Sequence, residues 1–285
     1  MKVLGVYREQ VFSPGKVHED AAILDATLGE LSLSNYEICT QKAEALETPT
    51  FRPVCVLSMA QSGRALRILE DWHRGGIRII NSVQSVRNTY RKPMIRLLAD
   101  AGVPIPISRI FPVEEAVSAV PFGSSTRYWL KRGDVHAVQK ADVVRVASRQ
   151  ELIRALDHFR RQEIASVLIQ EEVEGQVVKF YGVGPGAYFS AFLPSSGKEV
   201  TSRMEQIQPI VQQSAEALGL EIFGGDAIIT GQGRMLLIDF NDWPSFSRCC
   251  RTAAKQIAGY IERICDGGSN GASRGESGAS RGDLV

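Results

Sequence analysis

No apolar run in this 285-residue chain reaches the ~20 residues that cross a bilayer, which argues against a membrane partner. An excess of one charge is also missing. With 33 Lys and Arg against 32 Asp and Glu, the net charge is +1, so the composition offers no reason to expect nucleic acid or an anionic surface. Histidine is scarce, at four residues, and the five cysteines stand in no metal-ligand spacing. An odd, unpatterned set points to a reducing, cytoplasmic setting, with the adjacent Cys249 and Cys250 as packing residues. Arg8 and Glu9 interrupt the apolar start Met1-Lys-Val-Leu-Gly-Val-Tyr7, which therefore reads as a strand rather than a signal peptide. At 44% hydrophobic and 23% charged, the rest is ordinary for a globular chain of two or three modules.

The fold class expected is α/β plus α+β. Residues 1–85 alternate strand and helix patterns (strands at 3–7, 54–59 and 77–80, helices at 19–31 and 65–73), which predicts a small parallel sheet. Its loops 12–16 and 58–62 lie where such sheets place ligands, although Ser-Pro-Gly is equally good turn chemistry. A second unit is expected over 86–165, with Pro93 in the first turn of a helix that Gly102 stops, a strand at 128–131 and an amphipathic helix at 149–161. A third unit, 166–266, opens on the strand 167–173 and closes on a helix at 247–264. Residues 267–285 repeat Gly-Ala-Ser-Arg-Gly and carry too little apolar surface to order themselves.

Within the third unit, residues 223–246 read as a β-hairpin: apolar 227–229, a Gly231/Gly233 turn, then apolar 235–240. Asp226 starts the first strand; Asp239 and Asn241 end the second. Positions two apart leave one face of a strand together, and in an antiparallel pair the start of one strand faces the end of the other. Three oxygen donors without sulfur or imidazole suit a hard cation such as Mg²⁺, with Mn²⁺ as a substitute. Taken singly, each of the three is equally a turn acid or a capping amide.

Lys92 opens a helix, Lys131 ends a strand before a glycine-containing loop, Gln170-Glu-Glu-Val173 ends another, and Lys179 follows one strand later. In order and spacing these residues resemble the ATP-grasp superfamily over roughly 82–265. The Gly225-Asp-Ala-Ile-Ile229 and Leu237-Ile-Asp-Phe-Asn-Asp-Trp-Pro-Ser-Phe246 segments carry most of the likeness, and Leu168 to Gly184 comes next. The resemblance implies ATP clamped between two lobes behind a small N-terminal α/β domain. Lys92, or Arg91 one position earlier, would reach the α-phosphate, and Lys131 the α/β-phosphates and adenine. Gln170, Glu171, Glu172 and Val173 would border the base, and the loop 132–137 would fold over the triphosphate with His136 near the substrate. Lys179 would hold the transferring phosphoryl group. Asp226, Asp239 and Asn241 would hold one or two Mg²⁺ ions.

Arg248, with Glu174, Arg203 and Arg251, is a candidate for the acceptor pocket; a solvated surface role explains each of them as well. RimK-like carboxylate–amine ligases are the nearest type. Val177, Asp239 and the Lys179-Phe-Tyr strand are more similar to inositol-polyphosphate kinases, although no dense basic cluster for a polyanion is present. The expectation is an enzyme that transfers the γ-phosphoryl group of Mg-ATP to a small-molecule acceptor. A ligase working through an acyl phosphate leads, with a hydroxyl kinase and a non-catalytic nucleotide-binding module as alternatives. The acceptor and any homo-oligomeric state stay open.

Overall fold

The computed structural model describes residues 1–13, 15–122, 126–134 and 140–269. Three four-stranded sheets organise them. The first is parallel, in the order β2-β1-β3-β4, from β1 (Lys2–Tyr7), β2 (Glu37–Lys42), β3 (Cys55–Ser58) and β4 (Arg78–Ile80). Alternation along β1 sends Val3 to one face and Leu4 and Val6 to the other. The Val3 face is covered by α1 (Val17–Leu33) and the final helix, and the Leu4 face by α2 (Gly63–Arg74). Ser62 caps α2 by accepting the Ala65 N–H at 3.2 Å.

After α3 (Val83–Asn88) and α4 (Arg91–Asp100) comes an antiparallel sheet. It contains β5 (Ser108–Pro112), β6 (Tyr128–Arg132), β7 (Val143–Val146) and β8 (Ser166–Glu171), in the order β5-β8-β6-β7, with α5 (Ala116–Ala119) and α6 (Arg149–Arg161) packed on it. The strand from Val167, expected to open the third unit, therefore lies inside the second sheet, hydrogen-bonded between β5 and β6. In α6, Ser148 accepts from Glu151 N while the Glu151 carboxylate accepts from Ala147 N at 2.7 Å, so one N–H of the first turn and the N–H just before the cap are satisfied together.

The third sheet, also antiparallel, runs β10-β9-β11-β12, from β9 (Gln176–Val183), β10 (Tyr188–Phe192), β11 (Ile222–Ile229) and β12 (Met235–Asp242). One face packs on α4 and α7 (Met204–Leu218). The other contributes Tyr181, Val183 and Ile222 to the core shared with α1 and α8 (Cys250–Ser269). Gly219, at φ 72°, closes α7 in a conformation that a side chain would strain. The first sheet and this one are tied by buried polar bonds. Asn81 Oδ1 accepts from Glu221 N and Ile222 N at 2.8 Å each, and the Trp243 indole donates to Ile80 O at 2.9 Å. The helix α8 runs past the expected stop at 264; residues 270–285, which hold most of the Gly/Ser/Arg tail, lie outside the described residues.

Candidate active site

The hairpin expected from the sequence is present, and its register brings the acids together. Asp226 on β11 lies directly opposite Asp239 on β12, and Lys179 on β9 lies opposite Asp226 on its other side. Residues in register across adjacent strands share a face, so three charges form one row across the sheet. Asn241, two residues beyond Asp239, falls on the same face. Lys179 Nζ sits 2.8 Å from Asp226 Oδ1. Burial lowers the Lys179 pKa, but the Asp226 carboxylate outweighs it and the net shift is upward.

Gly225 makes this row possible. A Cβ there would stand 2.2 Å from the Asp239 carbonyl oxygen and 2.6 Å from the Phe180 ring. Gly225→Ala should cost about 1–3 kcal/mol, as overpacking against backbone does. A urea midpoint equal to that of the wild type would show that β12 yields without cost.

Two further cations converge on the row. Arg91 opens α4 and lies on the same helix face as the buried Met94 and Leu98, so its guanidinium enters the interior and ion-pairs with Asp239. Its buried Nε has no hydrogen-bond partner among the described residues. Lys92, one residue on and about 100° round the helix, is exposed. Of the two residues offered for the α-phosphate, Lys92 and Arg91, it is Arg91 that occupies the inward position. Lys131, on β6, is 7% exposed and donates to Gln170 Oε1 at 3.0 Å and Ile238 O at 2.9 Å, bridging the second and third sheets. Burial brings its pKa down to about 8, with Arg91 acting in the same direction and Asp239 and Asp226 opposing.

A cavity of about 200 Å³ opens on these groups. Arg91, Lys131, Gln170, Asp226 and Asp239 make its polar end, and Trp129, Val143, Val173, Ile228 and Ile238 supply apolar walls. Glu171 and Val173 also line it. Glu172 does not; its carboxylate is held by Arg145 in a two-pronged pair at 2.6 and 2.9 Å. His136 lies outside the described residues.

A second cavity, about 290 Å³, lies on the other side of the row, between the third sheet and the first. Lys179, Gly225 and Asn241 border it from one side, and Arg8, Lys16, Asp20 and Gln61 from the other. Phe12, Ser13, Lys16 and Gln61 come from the two loops that the parallel sheet was expected to use for a ligand. Arg8 is a residue the sequence reading missed. Its guanidinium donates to Asp242 O at 3.2 Å, Trp243 O at 2.9 Å and Met59 O at 3.3 Å, and contacts Asp20 at 3.4 Å. Asp242, also missed, is buried, and both its carboxylate oxygens accept from Gln61 Nε2 at 2.9 and 3.1 Å. Desolvation raises its pKa, against the Arg8 charge and the Gln61 bond.

Arg248, a candidate for the acceptor pocket, is exposed, donates to Pro194 O at 3.1 Å and lines neither cavity. Arg251 borders a groove between α1 and α8 instead, and Glu174 and Arg203 are exposed.

No protein-family model matches the sequence, and no curated protein does. Solved structures do. The RimK-domain ATP-grasp protein of Sphaerobacter thermophilus is 17% identical, aligned over 92% of this chain and 100% of that one, with a TM-score of 0.71. This chain has the ATP-grasp fold. D-alanyl-alanine synthetase A of Vibrio cholerae aligns over 94% and 98% at 10% identity and a TM-score of 0.72. The D-alanine–D-alanine ligase of Bacillus anthracis, solved with ATP, aligns over 94% and 99% at 11% identity and a TM-score of 0.70. The small parallel sheet followed by two antiparallel sheets is the ATP-grasp arrangement expected from the sequence.

All the candidate metal donors of this chain are oxygens. Among the described residues no group of three or more His, Cys, Asp or Glu side chains is placed to hold a metal ion. Asp226 and Asp239 supply two carboxylates, 26% and 22% exposed, and the third donor is the Asn241 amide. That donor set fits a hard divalent cation that completes its shell with water and phosphate oxygens.

Proposed function

We propose that this chain is an ATP-dependent ligase that phosphorylates a small carboxylate and passes the acyl group to an amine or thiol. One observation carries the reading: the Lys179–Asp226–Asp239 row stands between two cavities, with Asp226 and Asp239 lining the first and Lys179 and Asn241 the second. A phosphoryl donor in the first cavity and an acceptor in the second meet at that row. The apolar walls around Trp129, Ile228 and Ile238 suit the adenine ring. Arg91, with a free buried N–H, and Lys131, buried at a cost to its charge, suit the phosphates. Asp226, Asp239 and Asn241 would hold Mg²⁺, which draws charge from the phosphate oxygens when bound.

The steps follow from the row. A carboxylate oxygen of the acceptor attacks the γ-phosphorus; the bond from phosphorus to the β-bridging oxygen breaks, and ADP leaves. Lys179 stabilises the charge on the equatorial oxygens during transfer, and its upward-shifted pKa keeps it protonated. The amine or thiol then attacks the acyl carbon and expels phosphate. The three structural relatives described above bear ligase, synthetase or RimK-domain names, which favours this chemistry by analogy.

The second cavity also favours a modestly charged acceptor. Arg8 is already committed to three carbonyls and Asp20, and Lys179 to Asp226, which leaves Lys16 as the cation of the lining best placed to meet an anion. So little available positive charge suits a carboxylate better than a polyphosphorylated alcohol. Hydroxylamine tests this directly. The enzyme is given Mg-ATP, hydroxylamine and a panel of amino, hydroxy and keto acids. Hydroxamate formed together with free phosphate is the expected result. Phosphate retained on a stable product, with ADP and no free phosphate, would establish the hydroxyl-kinase reading instead.

A further inference from the structure

The Lys179–Asp226–Asp239 row sets two like charges side by side. Asp226 and Asp239 are paired directly across β11 and β12. Side chains so paired stand about 5 Å apart, and like charges there repel. A cation closes each end of the pair. Lys179 Nζ holds Asp226 Oδ1 at 2.8 Å, and the Arg91 guanidinium holds Asp239 through both carboxylate oxygens. Neither cation belongs to the hairpin: Lys179 is on β9 and Arg91 opens α4. Lys131 stands close by and donates to a carbonyl of β12. Arg91, Lys131 and Lys179 thus outnumber the two carboxylates.

A lone divalent cation therefore meets carboxylates that are already neutralised. To ligate both, it must displace both partners, and the buried Arg91 would be left without a carboxylate in the interior. A polyphosphate meets the opposite situation. Net positive charge attracts it, and the buried Arg91 Nε, unpartnered among the described residues, is a donor ready for an anionic oxygen. Phosphate oxygens that take over Arg91 and Lys179 release both carboxylates. A metal can then ligate these together with the phosphates.

We propose that Arg91 and Lys179 are internal counter-ions that close Asp226 and Asp239 to a lone divalent cation, so that a polyphosphate enters first and opens the site to the metal. This rests on the Mg-ATP site proposed above and adds an order of binding to it. Metal and polyphosphate then bind with positive coupling, and by linkage each tightens the other by the same factor. The free site is an anion site, and it becomes a cation site only when the anion is in place.

The full chain is tested with inorganic tripolyphosphate as the anion and Mn²⁺ as the metal probe. Calorimetry in EDTA should show tripolyphosphate binding to the wild type without any metal. Electron paramagnetic resonance, which counts unbound Mn²⁺, reads the other half. Lys179→Met and Arg91→Met should each hold lone Mn²⁺ at least ~10-fold more tightly than the wild type. Adding Asp239→Asn to either variant should cancel that gain. Lys179 is only half-buried, so Lys179→Met carries the test if the Arg91 variant does not fold. A Lys179→Met protein no better than the wild type at holding lone Mn²⁺ overturns the proposal. So does tripolyphosphate that binds only with Mn²⁺ present. If Mn²⁺ with a non-hydrolysable ATP analogue still binds the wild type in either case, only the counter-ion role falls. If that complex also fails to bind, the nucleotide site falls with it.

Discussion

Asp239→Ala should lower turnover by at least ~10²–10³-fold, the usual loss when one preorganised group facing transition-state charge is removed. The loss has two sources. One carboxylate of the oxygen set disappears, and Arg91, 3% exposed, loses its partner. Breaking a buried pair from one side is destabilising, so the alanine variant should also melt earlier. Asp239→Asn separates the effects, because the amide keeps an oxygen for Arg91 and removes only charge. It should retain most of the thermal stability while still losing turnover. Steady-state kinetics with saturating Mg-ATP, paired with thermal melts, read both. Full activity in either variant would remove Asp239 from the site.

Lys131→Met should weaken ATP binding by about tenfold to a hundredfold, on the ~1.5–3 kcal/mol of a hydrogen bond to a charged group. The wild-type protein should carry a matching pH signature. Its Lys131 pKa, brought down to about 8 by burial, lies well below that of a free lysine. A bound polyphosphate favours the charged form and raises that pKa again. Affinity should therefore be full below pH 8 and fall as pH climbs above it, by up to about tenfold per unit, with proton uptake on binding. Calorimetry in two buffers of different ionisation enthalpy measures that uptake. Lys131→Met should abolish it. An affinity that is flat from pH 7 to 9.5 would return Lys131 to a structural bridge between the sheets.

Local geometry made the hairpin legible. Period-two alternation and antiparallel register fix Asp226, Asp239 and Asn241 within a few residues of one another, and the observed pairing is Asp226 against Asp239. Lys131, Gln170 and Lys179 were legible because apolar strand patterns surround them. Helix phase was not. One residue turns the side chain by about 100°, no side chain caps α4, and Arg91 rather than Lys92 faces the site. The edge strands β2 and β5 were missed because their residues are largely half-buried or exposed, so the apolar pattern is faint. The place of β8 in the second sheet depends on pairing with residues up to about 60 positions away, which no local pattern records. Arg8 and Asp242 are the extreme case. Separated by 234 positions in the chain, they meet only when the first and third sheets dock. Arg248, a candidate for the acceptor pocket, donates instead to Pro194 O, a contact 54 positions away that no local pattern records.

The central claim is that the nucleotide lies in the 200 Å³ cavity with its γ-phosphate at the Lys179–Asp226–Asp239 row. A crystal structure of the protein with Mg²⁺ and a non-hydrolysable ATP analogue measures it most directly. The expected result is adenine against Trp129, Ile228 and Ile238, phosphates on Arg91 and Lys131, and a metal ~2.1 Å from oxygens of Asp226 or Asp239. A nucleotide bound elsewhere, or a metal that leaves both carboxylates untouched, would contradict it.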